Sequence, residues 1–499
     1  MRQIGAMNPE KLPVIVAIGE VTDRPADPHA ALEPVALMAA AARAADGDGD
    51  GGGGWLARVD SVDVVHQRSW RYVDTAAQFC GRLGIAPARG VYGPYGGESP
   101  VRFLHQAAAR IADGSSRVAL IVSGEAQYAR TRSVKEGWTP DWTPLAAKEE
   151  NAFDPSGVVD PLAALQGVLS PAQVYPLFES AWTAAHGETQ AQGIARSAAL
   201  WARYAAAAAA NDFAWRRDAP DAAAIAGQES GNRWIAWPYS KAMVANPDVN
   251  QAAALIVTSL AEARRADIAE DRLVYIHRGA FAAEPRNWLK RDSYAHSVAQ
   301  EAVLRAVQSA YDLYELYSCF PVVPKMAGDV LGREALARPS VAGGLSFFGA
   351  PLNSYMTHAA TAMVRALRDG HGTTGLLYGQ GEYVTKHHAL AVGRHPRDGG
   401  FAGGGDVQAD ADAARGTVPP IDRAASGAAT IEAHTVMFDR KGEPQFAAII
   451  ARGADGWRTL ARSEDAATIA QLVDRDTHPV GARGVVTLDG QSRPEWNFA

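Results

Sequence analysis

The chain has 499 residues, 47% of them apolar and 21% charged, with 48 Lys plus Arg against 55 Asp plus Glu for a net charge of −7. That composition is too apolar for a disordered chain, the length suits about three domains, and the mild acidity argues against nucleic acid or an anionic membrane as partner. The two cysteines, Cys80 and Cys319, exclude a disulfide framework and a cysteine-rich metal site. No apolar run approaches the roughly 20 residues a bilayer span requires. Met1–Glu10 is polar, and Val14–Ile18 is shorter than the 7–15 residues or so of a secretory h-region. The expectation is a cytoplasmic protein with reduced thiols.

In chain order, Val14–Ile18 reads as a buried strand and Glu33–Ala45 as a helix of strong helix formers. The run Asp46-Gly-Asp-Gly-Asp-Gly51 mimics the start of a calcium loop, but Ala57 stands where the bidentate Glu belongs, so a flexible loop is expected. Val62–Val65 is the next strand. Ser99 and Pro100 then open a helix whose apolar residues Val101, Leu104, Ala108 and Ile111 keep helical spacing up to Asp113-Gly114. Val118–Val122 is a continuous apolar strand, typical of a sheet covered on both faces. Residues 126–239 differ: they carry Trp138, Trp142, Trp182, Trp201, Trp215, Trp234 and Trp237 and read as a long, largely helical and loop-rich insertion, with Trp182, Trp201, Trp215 and Trp234 expected in its core rather than as a ligand cage. Strand and helix patterns resume with Ala252–Leu260, Leu273–Ile276, a helix over Ser297–Asp312, the segment Leu316–Phe320, and a helix over Ser354–Arg368. A linker dense in Gly, Asp and Pro covers His395–Ser426. The remainder is β-rich: strands at Thr430–Phe438, Gln445–Ala451, Arg458–Ala461 and Gly484–Leu488, a hairpin turn at Asp439–Gly442 and one helix over Asp465–Val473 predict a small barrel or curled sheet.

One self-similarity organises the main body. The helix ending at Asp113-Gly114 leads into a strand that finishes at Gly124-Glu125, and the helix ending at Asp369-Gly370 leads into one that finishes at Gly381-Glu382. Gly- and Pro-containing turns precede both helices, Gly96–Pro100 and Gly349–Pro351. Two homologous α/β halves are expected.

Several ordered blocks carry a family resemblance: Gly96–Gly114, Tyr239–Gln251, Leu316–Pro321, Gly343–Pro351 and Tyr378–Glu382. Through them, residues 12–394 resemble the thiolase superfamily, and within it the sterol-carrier-protein-type thiolases and the type-1 thiolase-like proteins that carry an additional C-terminal domain. The resemblance implies an α/β thiolase fold: five layers, α-β-α-β-α, from two duplicated βαβαβαββ halves, followed by a small OB-like β-barrel. The corresponding division is 1–264 for the first half, with the loop domain inserted at about 126–239, 265–394 for the second half, 395–426 for the linker and 427–499 for the appended domain.

In that family a cysteine thiolate at a helix N-terminus takes the acyl group, a His activates it, a second Cys handles a proton, and an Asn or His positions a water. Carried over by motif, the nucleophile falls on Gly97, the His on Ala350, the second Cys on Gly379 and the fourth residue on Tyr317. All four side chains are therefore replaced, and ordinary thiolysis or Claisen condensation is not expected. Backbone donors survive such losses, so the amides of Gly97 and Gly381 remain candidates for an oxyanion site, with glycine at both positions expected to widen the pocket.

The acid–base candidates are Tyr317, Tyr355, His358 and Glu382. For Tyr317 the alternative is a pocket-filling aromatic; for Tyr355 and His358, which share a helix face, it is core packing. Glu382 has a counterpart in Glu125, which suggests a fold role. Cys319 reads as a small buried residue, and His387-His388 point to opposite faces of a strand and cannot chelate together. No metal and no cofactor is expected; CoA or an acyl-CoA thioester is the expected ligand, to a monomer or homodimer. Two functions follow: a thioester binder without thiolase chemistry, or a cysteine-independent carbon–carbon lyase of the retro-aldolase type on a β-hydroxyacyl-CoA of steroid or lipid origin. Nucleic-acid binding by the C-terminal barrel is disfavoured by its few aromatics and its acidic residues.

Overall fold

The structure is a computed structural model that describes residues 7–48, 54–229 and 231–499. The first half runs β1 (Pro13–Thr22), α1 (Pro34–Asp46), β2 (Ser61–Val64), α2 (Thr75–Leu83), β3 (Arg89–Tyr92), α3 (Ser99–Asp113), β4 (Val118–Ala126) and α4 (Gln127–Glu136). The insertion carries α5 (Pro161–Leu165), α6 (Pro171–Ala185), α7 (Gln190–Ala209), α8 (Ala222–Ala226) and the short strands β5 (Trp234–Ala236) and β6 (Tyr239–Ser240). The half closes with β7 (Asn250–Ser259) and α9 (Leu260–Arg265). The second half runs β8 (Val274–Ala283), α10 (Val298–Ala306), β9 (Leu313–Leu316), α11 (Val322–Leu331), α12 (Arg333–Ala337), α13 (Tyr355–Arg368), β10 (Thr374–Gly381), β11 (Lys386–Gly393) and α14 (Gln408–Ala414). The barrel comprises β12 (Gly427–Phe438), β13 (Pro444–Gly453), β14 (Arg458–Ser463), α15 (Ala466–Leu472), β15 (Arg483–Leu488) and β16 (Pro494–Phe498).

The strand order β3-β2-β4-β7-β1-β8-β11-β10-β9 shows the duplication directly. Read outward from the β1/β8 seam, both halves present first strand, last strand, penultimate strand and second strand, with matching parallel and antiparallel pairings. The seam itself is narrow: Val14 pairs with Tyr275 and Ile15 with Val274. Helices α3 and α13 pack on each other and against strands of both half-sheets, while α1 and α2 cover the first sheet and α10 the second from outside. Five layers result. The middle helices and the strands around them are buried on all sides, which is why β4 and β7 are buried at every position and read as unbroken apolar runs.

Local sequence places the ends of these elements. Gly114 in the left-handed conformation (φ 82°) ends α3 as the Asp-Gly signal requires. Pro100 lies in the first turn, but Ser99 is the first helical residue and not the cap: its hydroxyl donates to the Pro94 carbonyl at 2.8 Å. Some boundaries differ from the sequence reading. The helix expected over 297–312 stops at Ala306, and Asp312 turns outward to accept the backbone and hydroxyl of Thr373. β9 covers Leu313–Leu316, and Tyr317–Phe320 leads from it into α11. α2, β3 and β16 lack a strong sequence signal. Among the described residues the second half has no strand matching β3; Gly344–Phe348 makes one wide helical turn instead. The calcium-like run ends in residues 49–51, outside the described residues. Among those described, no group of three or more His, Cys, Asp or Glu is arranged to hold a metal, and no helix is long and apolar enough to cross a membrane.

The barrel closes in the order β12-β13-β14-β16-β15-β12, with α15 between its third and fourth strands, which is the OB topology. It does not hang on a free linker. Gln166 of the insertion donates to the carbonyls of Leu460 and Pro494, at 2.9 Å each, and Ser180 on α6 accepts the His434 amide at 2.9 Å. The β5–β6 hairpin extends the barrel sheet beside Met437. The segment before the barrel is also docked, with the Phe281 amide donating to the Gly405 carbonyl at 2.8 Å.

Candidate functional site

The turns ahead of α3 and α13 meet across the middle layer. Asn353 ties them together: its Oδ1 accepts the Gly96 amide at 3.2 Å while its Nδ2 donates to the His66 carbonyl at 3.0 Å. The end of β10 lies against the same place, since a Cβ on Gly379 would sit 3.0 Å from the Glu98 Cα. Tyr317 is delivered by β9, with its amide donating to the Tyr378 carbonyl at 3.0 Å.

A cavity of about 610 Å³ opens at this junction, walled by Gly97, Tyr317, Ala350 and Gly381 together with Cys319, Gln380, Glu382 and apolar residues that include Phe153, Val158, Phe320 and Leu345. Of the family-derived positions, Gly97, Tyr317, Ala350 and Gly381 thus line one space, whereas Gly379 lies behind the wall against Val101 and Met356.

The glycines do not widen this space as expected. A Cβ on Gly97 would overlap the Tyr317 hydroxyl and lie 2.6 Å from the Gln380 carbonyl oxygen, and one on Gly381 would overlap the Glu98 carboxyl. Neighbouring side chains fill the volume the glycines leave. The Tyr317 hydroxyl has no hydrogen-bond partner among the described residues, and burial, with Cys319, Tyr95 and Glu98 nearby, holds it well above the ordinary tyrosine range. It is a neutral donor facing the cavity. The Gly97 amide likewise has no protein acceptor among the described residues.

The other candidates are engaged elsewhere. The Tyr355 hydroxyl donates to Glu315 Oε1 at 2.7 Å and accepts the Gly344 amide at 2.9 Å. Glu315 also accepts Ser340 and the amides of Val341 and Ala342, and burial pushes its carboxyl up to about 7. His358 is fully buried, its Nδ1 2.7 Å from Glu20 Oε1, and Glu20 also accepts Thr361. Burial would raise the Glu20 carboxyl, but His358 and Arg365 outweigh it and hold the group low. Neither Tyr355 nor His358 reaches the cavity. Glu382 does, but Lys386 at 2.8 Å and Arg286 at 3.0 Å hold its carboxylate in the β10–β11 hairpin. Its counterpart Glu125 holds the loop at Arg68 and Ser69 by three hydrogen bonds. Cys319 Sγ faces Gln380 Oε1 at 3.7 Å, and burial pushes the thiol up to about 12, so it is no thiolate. His387 and His388 point apart: one faces Tyr378 at 2.8 Å, the other His105 at 2.9 Å.

Sequence reasoning missed three polar residues here. Asn353 is the tie between the turns. Tyr175, from α6, donates to Gln380 Oε1 at 2.8 Å and brings the insertion onto the cavity wall. Glu98 follows Gly97 at the start of α3, where an acidic residue reads as routine helix capping, yet it makes no capping bond.

The fold that carries this cavity is shared with known proteins. The sequence profile of the "thiolase-like protein type 1 additional C-terminal domain" family matches residues 406–491, beginning ahead of β12 in the docked segment. No curated protein matches the sequence. A monomeric SCP2-thiolase like protein type 1 from Mycobacterium smegmatis is similar over 99% of this chain and 100% of that one, at 26% identity and a TM-score of 0.81. The Ltp2-ChsH2(DUF35) aldolase is similar over 77% of this chain and 98% of that one, at 19% identity and a TM-score of 0.55. Human mitochondrial 3-ketoacyl-CoA thiolase in complex with CoA covers 77% of this chain and 98% of its own, at 14% identity and a TM-score of 0.53; these last two likenesses are of fold alone. With two thiolase-type halves, an OB-type barrel after them and a whole-length likeness to a protein of the same build, the chain has the architecture of the type-1 thiolase-like proteins, and its residues 406–491 match their additional C-terminal domain.

Proposed function

We propose that this protein binds CoA thioesters in the cavity beside Tyr317 without forming an acyl-enzyme. One observation carries the reading: the space a nucleophilic side chain at position 97 would take is filled by the Tyr317 hydroxyl. The one thiol on the wall, Cys319, is protonated by burial. Two unengaged donors, the Tyr317 hydroxyl and the Gly97 amide, suit a thioester carbonyl, and the apolar wall of Phe153, Val158, Phe320 and Leu345 suits a lipid-derived acyl chain. The monomeric Mycobacterium smegmatis relative supports a monomer here, with a homodimer as the alternative, and a cytoplasmic address belongs to the same reading. Titration with CoA and a series of acyl-CoAs, followed by calorimetry and thermal stabilisation, tests it. Binding that strengthens with the acyl chain, with no cleavage of acetoacetyl-CoA, is the expected result; no binding across the series refutes it.

A second reading, carbon–carbon bond cleavage of a β-hydroxyacyl-CoA, is favoured by the same free phenol, since a neutral Tyr317 facing the cavity is placed to exchange a proton with a substrate hydroxyl. Release of a shortened acyl-CoA from such substrates, lost in Tyr317→Phe, supports it. No cleavage across a substrate panel sinks it.

A further inference from the structure

Among the described residues, most fully buried carboxyl groups are well supplied with partners, and Glu98 is not. Glu125 accepts three hydrogen bonds and Glu315 four; Glu179 meets Lys325, Tyr239 and Ser197. Glu98 is only 3% exposed, yet its Oε2 has no hydrogen-bond partner, and its carboxyl forms no ion pair among the described residues. Removing a carboxyl from water is costly, and here the group's own backbone amide and the charges of Lys386 and Arg102 offset that cost only in part.

Its position suggests a use. Glu98 directly follows Gly97, and its carboxyl lies in a niche formed by two glycines: a Cβ on Gly96 or on Gly381 would overlap Oε2. Gly97 and Gly381 line the cavity on one side. On the other, Glu98 lines a solvent-open groove of about 540 Å³ with Arg102, Gln106, Lys386 and the His105–His388 pair. The carboxyl therefore lies at the boundary between the groove that it lines and the cavity walled by Gly97 and Gly381. Burial pushes it up from the ordinary carboxylate range and Glu382 adds to the rise, while Lys386 and Arg102 pull it back. The three histidines lining the groove, His105, His387 and His388, are held neutral by burial.

We propose that Glu98 is the proton-exchanging group of the cavity, taking the α-proton of a bound thioester and passing it to solvent through the groove. The proposal rests on the thioester reading above. In the step, the C–H bond next to the thioester carbonyl breaks and its proton goes to the Glu98 carboxylate. The electron pair left on carbon forms an enolate, whose oxygen accepts from the Gly97 amide and the Tyr317 hydroxyl. Return of a solvent-derived proton to carbon closes the cycle, so nothing else is consumed.

The test uses the full chain with acetyl-CoA in D₂O, following deuterium entry into the acetyl methyl group by mass spectrometry, with binding measured on the same samples. Wild type is expected to exchange, and E98Q to exchange at least about 100-fold more slowly with acetyl-CoA affinity within about threefold. Binding without exchange in wild type, or exchange that survives in E98Q, overturns the proposal and leaves the thioester reading standing. Absence of acetyl-CoA binding removes both. Should E98Q not fold, Glu98→Ala with added formate takes its place: rescue of exchange supports the proposal, and no rescue overturns it.

Discussion

The Tyr317 hydroxyl stands where the side chain of any residue other than glycine at position 97 would begin. The two positions are therefore coupled: the tyrosine requires the glycine. Gly97→Ala is expected to lose about 1–3 kcal/mol of stability through overpacking, and Gly97→Cys to behave similarly and remain unacylated. Truncation in Tyr317→Ala restores part of the Gly97→Ala loss, because the Gln380 carbonyl, 2.6 Å from the new Cβ, still opposes it. A double-mutant cycle in urea measures the coupling; strict additivity would contradict the packing described.

Tyr317 and Tyr355 share a T-shaped contact, 6.1 Å between ring centroids, but have separate duties. Tyr317→Phe removes a free donor, so thioester affinity falls several-fold, about 0.5–1.5 kcal/mol, with the melting temperature nearly unchanged. Tyr355→Phe strips a partner from the buried Glu315, so stability falls by about 1–3 kcal/mol while affinity holds. Melting curves and calorimetry on both variants separate the roles, and the opposite pattern would assign Tyr355 to the cavity.

Cys319 lines the cavity with a thiol pushed up to about 12. The folded protein is expected to resist iodoacetamide at Cys319 at pH 8 and to react there once unfolded. Peptide mapping reads this directly; rapid labelling of native Cys319 would reopen the case for a thiolate.

Burial holds His105 at about 4, His387 and His434 at about 3, and His388 well below its ordinary value. An unfolded histidine titrates near 6.5, so below that pH the unfolded chain binds more protons and stability falls as pH falls toward the folded values. Glu125 and Glu315, raised to about 7, work the other way: they are protonated when folded and ionised when unfolded between about 4.5 and 7, and gain stability as pH falls through that window. His66, His277 and His478 are also lowered, and Asp23 and Glu98 also raised; the histidines outnumber the carboxyls, so the melting temperature is expected to be lower at pH 5 than at pH 7. Both ring nitrogens of His434 lack a partner, so His434→Leu is expected to preserve or raise stability at pH 7 and to narrow the gap between the two pH values. Calorimetric scans at both pH values decide it; a melting temperature that rises on acidification counts against this balance.

Legibility in the sequence followed the range of the interactions. The helix ahead of Asp113-Gly114 carries its own stop signals, so α3 ends where its residues say it does. The hairpin at Asp439–Gly442 and the helix around Ile469 are equally local. α2 and β3 are short and their patterns weak, and β16 is completed by β15, so its residues alone do not announce it. At the site, Gly97, Tyr317 and Ala350 were found through ordered motifs. Asn353, Tyr175 and Glu98 were not, because an amide, a tyrosine and an acidic residue at a helix start are common and have no distinctive spacing.

The sequence alone determined the duplicated α/β plan, the inserted helices and the appended β domain, since each rests on periodicity, local stop signals or composition. Only the tertiary structure decided what lies beside the glycines: the Tyr317 hydroxyl beside Gly97, the Glu98 carboxyl beside Gly381, and Tyr355 and His358 turned to buried glutamates instead of the cavity. The reason is physical. A missing side chain is written in one residue, but the volume it leaves is filled by residues far apart in the chain, and their placement follows from close packing and from the need of each buried polar group for a partner.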